Sequence, residues 1–141
     1  MSRRSLSLLS AVCACVVLGV VAGCESHNEI AKAGLTGRWS IASYVSGDYS
    51  GDYPLDLQQV IDITSESVFY VYDGEGAQIG MGTVTFEGNQ ATFDLQTGSM
   101  PNDWGDPETV TFSINDADTQ MTIEHPQQDG HDFNETLLRL Q

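Results

Sequence analysis

From Gly37 onward, apolar side chains return at every second position. In 109–114, Val110, Phe112 and Ile114 share one face while Thr109, Thr111 and Ser113 share the other; in 90–96, Ala91, Phe93 and Leu95 oppose Thr92, Asp94 and Gln96. A period of two sends successive side chains to opposite sides of a strand, so each segment has one dry face and one wet face, as in an antiparallel sheet. No window carries the 3.6-residue apolar stripe of an amphipathic helix, and clusters of Gly, Asp and Asn punctuate the runs. The pattern predicts an all-β domain of eight strands at 38–45, 58–63, 67–72, 77–86, 90–96, 109–114, 119–124 and 133–140. Two segments read ambiguously: Phe69 and Val71 oppose equally apolar Val68, Tyr70 and Tyr72, and Gly80 and Gly82 interrupt the fourth strand, which suggests a bend or bulge that lets the sheet curl.

A sheet of short strands with one wet face removes its exposed edges by closing into an up-and-down antiparallel barrel. The connections favour closure, because alternate loops of such a barrel fall at the same end. The loops 47–57, 73–76, 97–108 and 125–132 form one set, three of them long, and 64–66, 87–89 and 115–118 form the other, all short. This describes a barrel with one tight end and one mouth ringed by long loops.

The first residues differ in kind. Arg3 and Arg4 precede an apolar run over 6–21, followed by Val21-Ala22-Gly23-Cys24. A basic start, a short apolar stretch and small residues before a cleavage point make an export signal. V-A-G-C resembles the bacterial lipoprotein box, with Val21 where that box more often has Leu. The resemblance implies removal of 1–23, diacylglyceryl modification of Cys24 and a stable anchor, since two or more acyl chains hold where one does not. Residues 24–36 then read as a lipidated N-terminus and spacer, and 37–141 as the domain. Cys13 and Cys15 leave with the signal, so no thiol remains for a disulfide or a metal cluster.

Charge narrows the partners. The chain of 141 residues holds 5 Lys and Arg against 20 Asp and Glu, a net charge of −15, and loss of the signal leaves only Lys32, Arg38 and Arg139 as bases. Such a surface repels phosphate, which excludes nucleic acid and binding to anionic lipid through a basic patch. The size suits a single domain.

Leu35-Thr36-Gly37-Arg38-Trp39-Ser40-Ile41 opens the first strand with G-x-W, and Thr136-Leu137-Leu138-Arg139 lies in the last. Together they resemble the lipocalin-like (calycin) barrels over nearly the whole mature domain, especially the shorter lipocalin-like bacterial lipoproteins. The resemblance implies that Arg139 packs over Trp39 at the tight end, where first and last strands become neighbours only on closure. It implies a fold first, and a ligand only by analogy.

The mouth loops collect the candidate chemistry. Tyr49 and Tyr53 stand in a repeated G-D-Y, and Trp104 lies in Asp103-Trp104-Gly105-Asp106. Aromatics with polar tips at a mouth suit a partly apolar ligand or a sugar; equally, they fold back to cap the barrel. His125, Asp129, His131 and Asp132 bear metal-ligating groups, but their spacing fits no metal motif and a solvated acidic loop is the simpler reading, so no metal or cofactor is expected. Asp73-Gly74-Glu75-Gly76 and Asn115-Asp116-Ala117-Asp118 lack the Gly and Glu spacing of a calcium loop and read as hairpin turns. No nucleophile, phosphate-loop or dinucleotide motif is present, and pairs such as Asp103 and Asp106 arise freely among so many acids, so no enzymatic activity is expected.

Three functional expectations follow, all for a lipid-anchored protein of the bacterial envelope, with the outer membrane, facing periplasm or exterior, as the expected site; the third of them is a salt-adapted structural lipoprotein with no ligand. In the first, the mouth takes a small, partly apolar molecule through Tyr49, Tyr53 and Trp104. In the alternative, side chains fill the barrel and the long loops contact or inhibit another envelope protein.

Overall fold

In a computed structural model, the residues described are 29–102, 104–128 and 130–141, with Gln128 placed by its backbone alone. The expected signal peptide, Cys24, Asp103 and Asp129 lie outside them. A helix, α1 (residues 29–35), leads into β1 (Gly37–Ser46), β2 (Tyr49–Asp52), β3 (Val60–Ile63), β4 (Val68–Tyr72), β5 (Gln78–Glu87), β6 (Gln90–Gly98), β7 (Glu108–Ile114), β8 (Gln120–Gln128) and β9 (His131–Arg139). Every strand pairs antiparallel with its neighbour, and β9 pairs with β1 from Trp39 against Arg139 to Ser46 against Phe133. The result is a closed eight-stranded barrel, with β2 added on the mouth half of β1.

Inward positions follow the period of two. Trp39 and Ile41, Ile61 and Ile63, Phe69 and Val71, Ala91 and Phe93, and Met121 and Ile123 are all buried. Phe69 and Val71 are therefore the inner face of β4, which resolves the ambiguity of that segment. Gly82 lies at a register shift between β5 and β6, where a Cβ would overlap the Asp94 carbonyl oxygen and the Phe69 ring. The missing side chain lets the two strands press together as the sheet curls.

Three details depart from the sequence reading. Part of the expected spacer is helical: α1 is too short to hold alone, but Leu35 at its end is buried under the barrel, its carbonyl accepts the Trp39 indole N–H at 2.9 Å, and the Gly34 carbonyl accepts Arg139 Nη2 at 2.7 Å. Docking supplies the stability that length does not. The long loop expected over 125–132 is instead the end of β8, a tight turn and the start of β9; the ladder shifts register between His125 and Gln128, around Pro126, which has no N–H to give. The stretch before β3 contains the short strand β2, reached through a two-residue turn with φ of +59° at Gly47.

At the tight end, the Arg139 guanidinium carbon lies 4.1 Å from the centre of the Trp39 ring. Its nitrogens also donate to the Thr36 and Asp118 carbonyls and to the Asp118 carboxylate. One side chain thus ties α1, β1, the β7–β8 turn and β9 together.

Candidate functional site

Three polar residues keep step with the apolar inner face. Glu108 is in phase with Val110 on β7, His125 with Met121 and Ile123 on β8, and Glu135 with Phe133 and Leu137 on β9, so strand geometry sends all three into the barrel below the mouth. They meet there. His125 Nδ1 is 2.6 Å from Glu108 Oε1, and its Nε2 is 3.0 Å from Glu135 Oε2. All three are buried, Glu135 to 1% exposure.

The loop between β6 and β7 closes over them. It is pinned at Asn102, whose N–H donates to Gln59 Oε1, at Gly105, whose N–H donates to Glu108 Oε2 at 2.8 Å, and at Asp106, whose carboxylate accepts the Leu95 N–H. These anchors drive Trp104 inward, where its indole N–H donates to Glu135 Oε2 at 2.7 Å. The ring lies edge-on to both Phe93 and His125, and His125 stacks on Phe133 with ring centres 4.7 Å apart. From the segment just after β2, the Tyr53 hydroxyl donates to Glu135 Oε1 at 2.9 Å.

The hydrogens can be counted. Each His125–glutamate contact needs one hydrogen between its two atoms, so the three groups share two. Either an imidazolium lies between two carboxylates or a neutral imidazole lies between a carboxylate and a carboxylic acid, and the set carries one net negative charge in both cases. Indole, phenol and backbone N–H donors compensate that charge, and among the described residues no buried side-chain nitrogen or oxygen lacks a partner. An imidazole beside a carboxylate is acid–base machinery when substrate reaches it. Here each ring nitrogen is engaged by a glutamate and Trp104 covers the ring, which makes the cluster a clasp that holds the mouth loop inside the barrel. Among the described residues no group of three His, Cys, Asp or Glu is arranged to hold a metal ion.

The structure divides the residues singled out in the sequence. Tyr53 and Trp104 converge on Glu135, whereas Tyr49 sits on β2 with 79% of its surface exposed. His125 is interior, while His131 and Asp132 are exposed at the start of β9 and Asp132 accepts a hydrogen bond from Gln127. Asp73 accepts the N–H groups of Glu75 and Ala77, and Asn115 those of Thr119 and Gln120, as side chains that close hairpin turns do. Glu108 and Glu135 escaped the sequence reading. Their signal was available: a carboxylate in phase with the buried face of its own strand.

The chain matches no protein-family model and no curated protein.

Proposed function

We propose that this chain is a lipid-anchored lipoprotein of the bacterial envelope, with a lipocalin-like barrel whose interior is filled and whose mouth end engages another protein. The observation that carries this reading is the inward turn of Tyr53 and Trp104 onto Glu135. Two of the three aromatics suited to a ligand at the mouth are used in holding the barrel shut, and the volume a small molecule would take holds Trp104, His125 and Phe133 instead. What remains for recognition is the outer lip. The lipocalin-like assignment rests on G-x-W at Gly37 and Trp39 with Arg139 stacked on the indole, and the anchor on the lipoprotein box ending at Cys24. The reading assigns the cluster a structural role and no catalysis.

Native mass spectrometry of the protein purified from its own cells tests this. The expected result is a co-purifying polypeptide and no stoichiometric small molecule. A small molecule retained at one per chain and released on unfolding overturns it in favour of a ligand-binding mouth.

A further inference from the structure

The protein-binding reading leaves open what the lip recognises, and β2 bears on this. Its order in the sheet puts β1 on one side and no strand on the other. The pairing is fixed by Tyr53, whose N–H donates to the Ala42 carbonyl at 2.8 Å. Because antiparallel rungs alternate, Tyr49, Gly51 and Tyr53 turn their backbone groups toward β1, and Ser50 and Asp52 turn theirs away. Both of these residues are exposed. They present consecutive N–H and C=O pairs of the kind that an added strand satisfies.

The surroundings choose among strands. Leu55 and Leu57, 85% and 61% exposed, follow β2 along the lip, with Asp48 and Asp52 before them and Asp56 between them. Every lysine and arginine among the described residues lies toward the far end: Lys32 in α1, Arg38 at the start of β1 beside Asp62, and Arg139 at the end of β9 beside Asp118. The lip thus has negative charge, apolar side chains and open backbone groups together; among the described residues no lysine or arginine lies near to neutralise it, and the one histidine close by is His131, whose ring sits against Gly47. A second copy pairing edge to edge would set Asp48 and Asp52 against the same acids, and like charges across a strand pair repel. A basic strand meets the opposite situation.

We propose that the outer edge of β2 receives an extended segment of the partner protein, with Lys or Arg beside Asp48 and Asp52 and an apolar side chain against Leu55 or Leu57. The proposal rests on the protein-binding reading and adds the chemistry of the partner and the place where it docks.

The test uses the full-length protein in its own cells, with a photo-crosslinking residue at Ser50 and, separately, at Glu75 and Ser99 on other mouth loops. The expected result is a protein adduct from Ser50 whose crosslinked peptide is rich in Lys and Arg, reduced about tenfold by the D48N/D52N pair, as the loss of two charge contacts implies. Adducts from Glu75 or Ser99 without one from Ser50 overturn the β2 proposal and leave the protein-binding reading standing; no protein adduct from any of the three overturns both. An adduct of the chain with itself, or with an acidic segment, overturns the β2 proposal. A purified counterpart uses a ten-residue peptide of alternating Lys and Val, followed by hydrogen exchange at Ser50 and Asp52. Protection of those two amides, abolished when alternate peptide nitrogens are methylated, supports strand addition. Equal binding by the methylated peptide shows simple charge attraction and overturns it.

Discussion

Trp104 of the β6–β7 loop donates its indole N–H to Glu135 of β9 at 2.7 Å, tying that loop to the second strand beyond β7 in the sheet. The same carboxylate accepts from Tyr53 and faces His125. One buried glutamate therefore fixes both long mouth segments, and the mouth's conformation depends on it.

Glu135→Ala strands the Trp104 indole and one His125 nitrogen in an apolar setting and removes the carboxylate that accepts the Tyr53 hydroxyl. Breaking one partner of a buried charged cluster costs about 3–5 kcal/mol. Urea denaturation should show a loss in that range, with Trp104 fluorescence shifted toward that of a solvated indole. A loss below about 1 kcal/mol would show that water fills the vacated site at little cost.

At the tight end, Trp39→Ala removes a fully buried ring and the surface on which Arg139 rests. A cost of about 3–5 kcal/mol is expected. Arg139→Lys keeps the charge but cannot reach Thr36, Gly34 and Asp118 together, and should cost about 1–2 kcal/mol in the same denaturation assay.

Gly82→Ala puts a methyl group into the Asp94 carbonyl oxygen and the Phe69 ring. Because backbone must move to admit it, a loss of about 2 kcal/mol or more is expected, with amide exchange accelerated in β5 and β6. Gly88→Ala provides the contrast. A Cβ there meets nothing, so only the strain of its φ of +61° opposes it, and about 1 kcal/mol is expected.

Cys24→Ser should leave unprocessed precursor or a soluble form in cell fractionation. A membrane fraction equal to that of the unmodified protein would exclude acylation at that residue. With the anchor in place, the tight end should face the lipid: a label at Asn89, on the β5–β6 turn, should lie closer to the bilayer than one at Ser99, on the mouth loop.

The strands were legible because period two is strong wherever one face is wet, as with Val110 and Phe112 against Thr109 and Thr111. The closed topology was read from loop lengths and stands, although 125–132, counted there among the long loops, is strand and a tight turn. α1 was not, because its stability comes from Leu35 and Arg139 rather than from its own residues. The extension of β8 past His125 was hidden by Pro126 and Gly130, which mark a loop locally but here occupy a bulge and a tight turn. Glu108 and Glu135 were hidden for another reason: acids are so abundant in this chain that a carboxylate draws notice only when its phase along the strand is followed.

The pairing of β1 with β9 also bears on how the chain folds. Trp39 and Arg139 face each other across that seam, so the pairing that makes the sheet a ring spans nearly all of the chain between α1 and the last strand. Until β9 docks, β1 and β8 both keep an open edge, and no local hairpin can substitute for the seam. High contact order of this kind places folding in the slow range of small domains, about milliseconds to seconds. It also makes β9 the strand whose arrival turns an open, aggregation-prone sheet into a barrel.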